Sequence, residues 1–190
     1  PKRDWSSDVC SSDLLPSTNN HFNSRGVCPT YLLDFPVVDN PHSAAVIRSM
    51  IERDECEVGA QLHPWVNPPF SEPVTGPNSF TGNLPANLQR AKLHMLTDRI
   101  EAAIGVRPIV YRAGRYGVGA NTAALLAEAG YRMDVSVRAL FNYSDERGPD
   151  FSRHPIWPWW AGQRGTGVLE VPLTVDRKST RLNSSHVSES

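Results

Sequence analysis

The feature that most constrains this chain is an alternation. Short apolar runs of strand length are separated by stretches in which apolar residues recur at helical spacing. Residues 30–35 (TYLLDF), 56–61 (CEVGAQ), 108–112 (PIVYR), 131–137 (YRMDVSV) and 168–173 (VLEVPL) read as strands. Asn40-Pro41 reads as an N-cap followed by proline at the first helical position, and Ala44, Ile47 and Ile51 predict a helix over 42–53. Leu88, Leu96, Ile100 and Ile104 form the stripe of a second helix, from near Pro85 to Gly105. A third opens at Asn121 and closes at Gly130. Parallel neighbours need crossover helices, so the pattern predicts an α/β domain with a parallel sheet. In such sheets ligands gather where strands hand over to loops at their C-terminal ends. That rule selects 61–65, 112–116 and the segment after Asp134 and Ser136.

Composition narrows the function classes. The chain has 190 residues, with 19 basic against 20 acidic side chains. This balance speaks against an electrostatic nucleic-acid binder. No apolar run approaches ~18 residues, so no membrane span is expected. Three cysteines make neither a disulfide framework nor a Cys-only zinc site. Cys28 and Cys56 each precede a strand, and two free thiols are expected rather than a bridge. The Pro- and Gly-rich stretch 64–86 is long for a connection in a compact domain, which points to function.

The two ends differ from the middle. Residues 1–14 repeat Ser-Ser-Asp, residues 177–190 hold few apolar side chains, and neither has a period that buries a face. Both strings resemble translated sequencing-adapter sequence. They are expected to be foreign and disordered, with a single partial domain over 15–176.

Three segments in order carry a family resemblance: GVCPTYLLDFPVVDNP with the following helix, EVGAQLHPW (57–65), and GVRPIVYRAGRYG (105–117). Together with the strand containing Asp134 and Ser136, they resemble the polysaccharide deacetylase family, the NodB-homology domain, over about 26–175. The resemblance implies a distorted (β/α) barrel of parallel strands, incomplete here. It implies a hydrolase of carbon–nitrogen bonds other than peptide bonds, removing N-acetyl groups from a carbohydrate in the intact protein. The cofactor it implies is a divalent metal, zinc by preference, held by an Asp and two His. It also implies a bacterial protein of the cytoplasm or cell envelope, with a carbohydrate partner and no nucleic acid.

On this chain the first metal-His position of the family falls on Gln61 and the second on Trp65, with His63 between them. Gln61 and His63 share a face, and they are the metal candidates. The family's Asp pair and its Leu-x-His motif would lie outside the matched region. Arg112 and Asp134 take the catalytic positions, with Arg112 as a partner for Asp134. Trp65, Asn67, Arg115 and Tyr116 are substrate-binding candidates. Trp157, Trp159 and Trp160 offer further faces for sugar rings. Asp34 is an acid in an apolar strand, with solvation as its expected role. His42, His94 and Glu101 fall on helix faces without expected chemistry. The alternative is a non-catalytic glycan-binding pseudo-deacetylase on the same fold, which Gln61 and Trp65 favour. No Gly-x-Ser-x-Gly is present to support a serine α/β hydrolase.

Overall fold

The computed structural model describes residues 11–175. Residues 1–10 and 176–190, the latter including the tail 177–190, lie outside the described residues. Residues 11–14 enter the first turn of helix α1 (Ser11–Asn23), which has no counterpart in the periodicity reading.

Six strands form one sheet: β1 (Thr30–Leu33), β2 (Glu57–Leu62), β3 (Val110–Ala113), β4 (Met133–Asp134), β5 (Trp159–Ala161) and β6 (Val168–Glu170). Their spatial order is β1-β2-β3-β4-β6-β5. Neighbours from β1 through β6 run parallel, and only β5 pairs antiparallel, with β6. The expected parallel α/β sheet is therefore present. It is open rather than closed into a barrel.

Local chemistry explains the helices. Asp34 caps the short α2 (Phe35–Asp39), with Pro36 in its first turn. The Asn40 side chain accepts from Ser43 N at 3.0 Å and starts α3 (Pro41–Glu52). Helix α4 (Ala86–Ile104) ends on Gly105, whose φ of +86° is the left-handed stop that favours glycine. Helix α5 (Thr122–Glu128) follows Asn121. Val58, Ala60 and Leu62 of β2 and Tyr111 and Ala113 of β3 are buried with Ile47, Leu93, Leu96, Ile100, Leu125 and Leu126 of the helices. Alternation leaves Gln61 and Arg112 on the opposite, half-open face. Helix α1 is tied on through Asn19, which donates to Glu55 O at 3.1 Å and accepts from the Tyr31 hydroxyl at 3.1 Å.

The long 64–86 connection is ordered, with short 3-10 turns at Pro64–Val66, Pro77–Ser79 and Thr81–Asn83. Its anchor is Lys92 on α4, which is fully buried. The ammonium donates to Pro64 O (3.0 Å), Asn67 O (2.6 Å) and Pro69 O (2.8 Å), and pairs with Glu72 at 2.8 Å. Three donors thus meet carbonyls and a carboxylate, which offsets the desolvation of the charge.

Cys28 is exposed and Cys56 buried, and both are free thiols. No helix of the described residues is long and apolar enough to cross a membrane.

Replacing Lys92 by Met leaves Glu72 buried without its cation. Breaking a buried pair this way is expected to cost ~3–5 kcal/mol, read as a lower urea midpoint. A loss below ~1 kcal/mol, the surface-pair range, would show that Lys92 is not the anchor.

Candidate functional site

The register Gln61↔Arg112 puts the ends of β2 and β3 side by side. Segments 61–65 and 112–116 therefore sit at the same, C-terminal end of the sheet, as expected for parallel strands. Here Asp34, just after β1, faces His63, just after β2. The Asp34 Oδ2 lies 3.4 Å from His63 Nδ1, while its Oδ1 accepts from Val37 N at 3.4 Å. Gln61 Nε2 lies 3.4 Å from His63 Nε2. The tautomer that serves both contacts carries its proton on Nδ1 and accepts from Gln61 on Nε2. Trp65 covers the imidazole with ring centroids 4.8 Å apart, and remains 37% exposed.

Gly114 allows this approach. A Cβ there would overlap the His63 ring and come within 2.7 Å of Leu62 O. The next two residues, Arg115 and Tyr116, both have left-handed backbone, with φ of +53° and +59°. Such conformations cost of order 1–3 kcal/mol each outside glycine and mark sites where geometry is imposed. The turn swings the Tyr116 ring beneath the guanidinium of Arg112, 5.0 Å from its centroid. Arg138 lies 5.7 Å from the same ring, and Tyr143 stacks on it at 5.8 Å. Arg138 also donates to the Tyr143 hydroxyl at 3.1 Å.

Several expected roles change. Asn67 is fully buried and donates to Lys92 O and Pro68 O, so it braces the loop rather than facing a substrate. Arg115 is engaged by Ser79, Glu146 and the Phe80 ring, bracing two loops. Asp134 does not meet Arg112. It pairs in register with Tyr111, one residue off, so its side chain points to the opposite, helix-covered face. There it accepts from Ser136 N at 2.9 Å and from the Ser136 hydroxyl. Asp34 is more than a solvated acid, because it orients His63.

Asp134 stands in register with Glu170, and one oxygen of each is buried without a hydrogen-bond partner. Burial pushes Asp134 up to about 6, against the pull of the Ser136 bonds. Burial, then the charge of Asp134, pushes Glu170 up to about 8. At neutral pH the pair keeps a proton.

The metal expectation can be tested on the donors present. Asp34 and His63 have suitable chemistry, and Gln61 offers only a neutral amide. Among the described residues no three His, Cys, Asp or Glu side chains converge. A three-ligand set of the Asp-His-His kind is not completed by these residues, and they do not fit the family's metal by themselves.

Comparison with solved structures places the fold. A putative polysaccharide deacetylase from Mycobacterium smegmatis superposes with a TM-score of 0.58 at 20% identity, over 84% of this chain and 45% of that one. A probable polysaccharide deacetylase from Pseudomonas aeruginosa gives 0.54 at 18% identity, over 87% and 44%. A CE4 family pseudoenzyme from Bacillus anthracis gives 0.52 at 12% identity, over 95% and 57%. Neither a family model nor a curated protein matches the sequence. The chain has the α/β fold of NodB-like polysaccharide deacetylase domains. It spans less than half the length of the two deacetylases.

Two predictions follow from this geometry. Gly114→Ala should displace His63 and destabilise the domain by ~1–3 kcal/mol. An unchanged chemical shift for the His63 ring in that variant would contradict the packing. The carboxylate pair sets a pH dependence. Both groups bind protons more tightly folded than unfolded, so their contribution is full below about pH 4 and is lost as pH rises through about 6 and then 8. Glu170→Gln should remove the upper part of that fall, raising the melting temperature at pH 8.5 by several degrees relative to the parent. Parallel melting curves for the two proteins between pH 6 and 8.5 would refute it.

Proposed function

We propose that this chain is the glycan-binding portion of a polysaccharide deacetylase-like protein. The intact protein would hydrolyse the carbon–nitrogen bond of N-acetylated sugars, and the residues described here hold the sugar without cleaving it. The observation that carries this reading is the row Trp65–His63–Gln61–Arg112–Tyr116 at the C-terminal end of the parallel sheet.

Each member has a task in binding. The exposed face of Trp65 suits the apolar C–H face of a pyranose, and Tyr116 holds Arg112 beside it. The Gln61 amide can exchange its contact with His63 for a sugar hydroxyl or an acetamide carbonyl. Asp34 holds the imidazole in one orientation, so that exchange costs little ordering. Hydrolysis asks for more. Amide cleavage needs an activated water and a proton donor for the leaving amine. The Nε2 of His63 is occupied by Gln61, and the donor set for a metal is incomplete. This arrangement favours binding over turnover for these residues. The fold is also compatible with lost activity, since one neighbour of the same fold is described as a pseudoenzyme.

The test is titration of the 190-residue protein with chitotetraose, followed by amide chemical shifts. Shifts should centre on 61–65 and 112–116, and Trp65→Ala should weaken binding about tenfold, as loss of one aromatic platform typically does. The same protein should release no acetate and bind zinc no better than micromolar. Nanomolar zinc binding, or turnover abolished by His63→Ala, would overturn the binding-only reading. Absence of any shift at these segments would overturn the glycan reading.

A further inference from the structure

We infer that the sugar stacked on Trp65 is read through an N-acetyl group that is kept, not cleaved. The pocket between Trp65 and the 72–79 turn takes the acetamido methyl, with Thr75 and Asn78 as its polar partners. This rests on the glycan-binding reading above and names the substituent that the same site requires.

Size sets the first limit. Beside Trp65 the loop leaves a pocket of about 50 Å³. Its apolar lining is Trp65, Pro73 and Val74, and its polar lining is Glu72, Thr75, Asn78 and Ser79. A water needs ~10–15 Å³, and a whole ligand takes about 300–1,000 Å³. A space of this size admits a substituent of a few heavy atoms and excludes a sugar ring.

Chemistry narrows the substituent. Glu72 pairs with Lys92 at 2.8 Å, so the charge in the lining is already answered and a neutral group is favoured. Ser79 Oγ is spent on Gly76 O and on Arg115. Asn78 gives its Nδ2 to Pro73 O at 2.9 Å, which leaves its Oδ1 as an acceptor. Thr75 Oγ1 accepts from Asn78 N at 3.3 Å, which leaves its hydroxyl proton as a donor. One acceptor and one donor beside an apolar wall match the N–H, the carbonyl and the methyl of an acetamide. A hydroxyl has no methyl to bury, and an acetate ester has no N–H to give.

The pocket is ready before any ligand arrives. Ser79 N donates to Thr75 O at 3.1 Å, Asn83 Nδ2 donates to Pro77 O at 2.9 Å, and Lys92 holds the loop at Pro69 and Glu72. Binding therefore orders little that is not already ordered. Every lining residue falls within 65–79, so the shape is a property of this one loop. Trp65 is shared, since it lines the pocket and also covers His63 at 4.8 Å. A pyranose on the indole thus has a place beside it for one substituent. Glu72, the one carboxylate among the described lining residues, is committed to Lys92, so nothing in the pocket activates a water against the acetyl group.

The test is isothermal titration of the 190-residue protein with chitotetraose and with cellotetraose, which carries a hydroxyl where chitotetraose carries each acetamido group. Burying a methyl is worth about fourfold in affinity and a neutral hydrogen bond a further few-fold. Chitotetraose should therefore bind about tenfold tighter. In its complex, the acetamido methyl protons should show nuclear Overhauser contacts to the Trp65 indole and the Val74 methyls. Val74 is 80% exposed, so Val74→Ala should leave the melting curve unchanged while narrowing the preference to about threefold. Thr75→Val should narrow it as well. Equal affinity for the two sugars would overturn the inference and leave the glycan reading standing. Overhauser contacts to Trp65 from sugar-ring protons alone would do the same. A glucosamine tetramer that binds as tightly as chitotetraose would overturn the acetamido assignment. Failure of all three sugars to bind would remove both readings together.

Discussion

One buried ammonium organises the loop beside the C-terminal end of the sheet. Lys92 sits inside the core on α4, yet every donor it has is directed at the 64–72 connection. A loop this rich in proline carries few amide donors of its own, and its backbone pairs are the short turn bonds from Val66 N to His63 O and from Asn67 N to Pro64 O. Lys92 donates to three carbonyls of the loop, those of Pro64, Asn67 and Pro69, while Glu72 neutralises the charge. The first of those carbonyls belongs to Pro64, directly after His63. The position of the imidazole, and of Trp65 beyond it, is thus fixed from the helix layer rather than by the strand alone.

The second constraint is the period of the strand. Tyr111, Asp134 and Glu170 occupy one row across β3, β4 and β6, and Gln61 and Arg112 occupy the alternate row. A shift of one residue separates two chemistries. On the helix side, acids are driven toward their neutral form by desolvation, and the buried pair tolerates its position because it keeps a proton. On the open side, guanidiniums remain charged and partly wet. At this height the sheet therefore directs Asp134 and Glu170 inward and Gln61 and Arg112 outward.

Much of this was legible in the sequence. Asn40-Pro41 announced α3, Gly105 ended α4, and the alternation of runs and stripes gave a parallel α/β sheet. The clustering of His63, Gln61, Arg112 and Tyr116 followed from strand-end reasoning. What failed depended on tertiary context. Asp134 looked like a partner for Arg112 because both are polar residues at neighbouring strand ends; only the register shows that they face opposite ways. Asn67 and Arg115 lie in the right segments but are spent on loop carbonyls, a serine and a carboxylate. Lys92 reads as one more solvent-facing helix residue, since nothing local marks a lysine whose partners are 20 or more residues away. Helix α1 and strand β5 carry too little apolar periodicity to be seen. Both gain their order from contacts, α1 through Asn19 and β5 through pairing with β6.

Asp34 shows how local and functional demands can share one side chain. A five-residue helix is too short to persist on its own propensity. Its start needs a cap, and Asp34 gives one oxygen to Val37 N. A cap requires the side-chain oxygen to stay fixed in rotamer, which is what an imidazole partner also requires. The second oxygen is then held toward His63 at little further entropic cost, because the side chain has already been ordered. Removing the side chain would disturb the helix and the imidazole together, so replacing Asp34 by Asn, which retains the capping oxygen, is the substitution that separates the two roles. In that variant α2 keeps its start, while the charge that favours a proton on Nδ1 is gone. The Gln61 contact at Nε2 then loses the partner that fixed its direction.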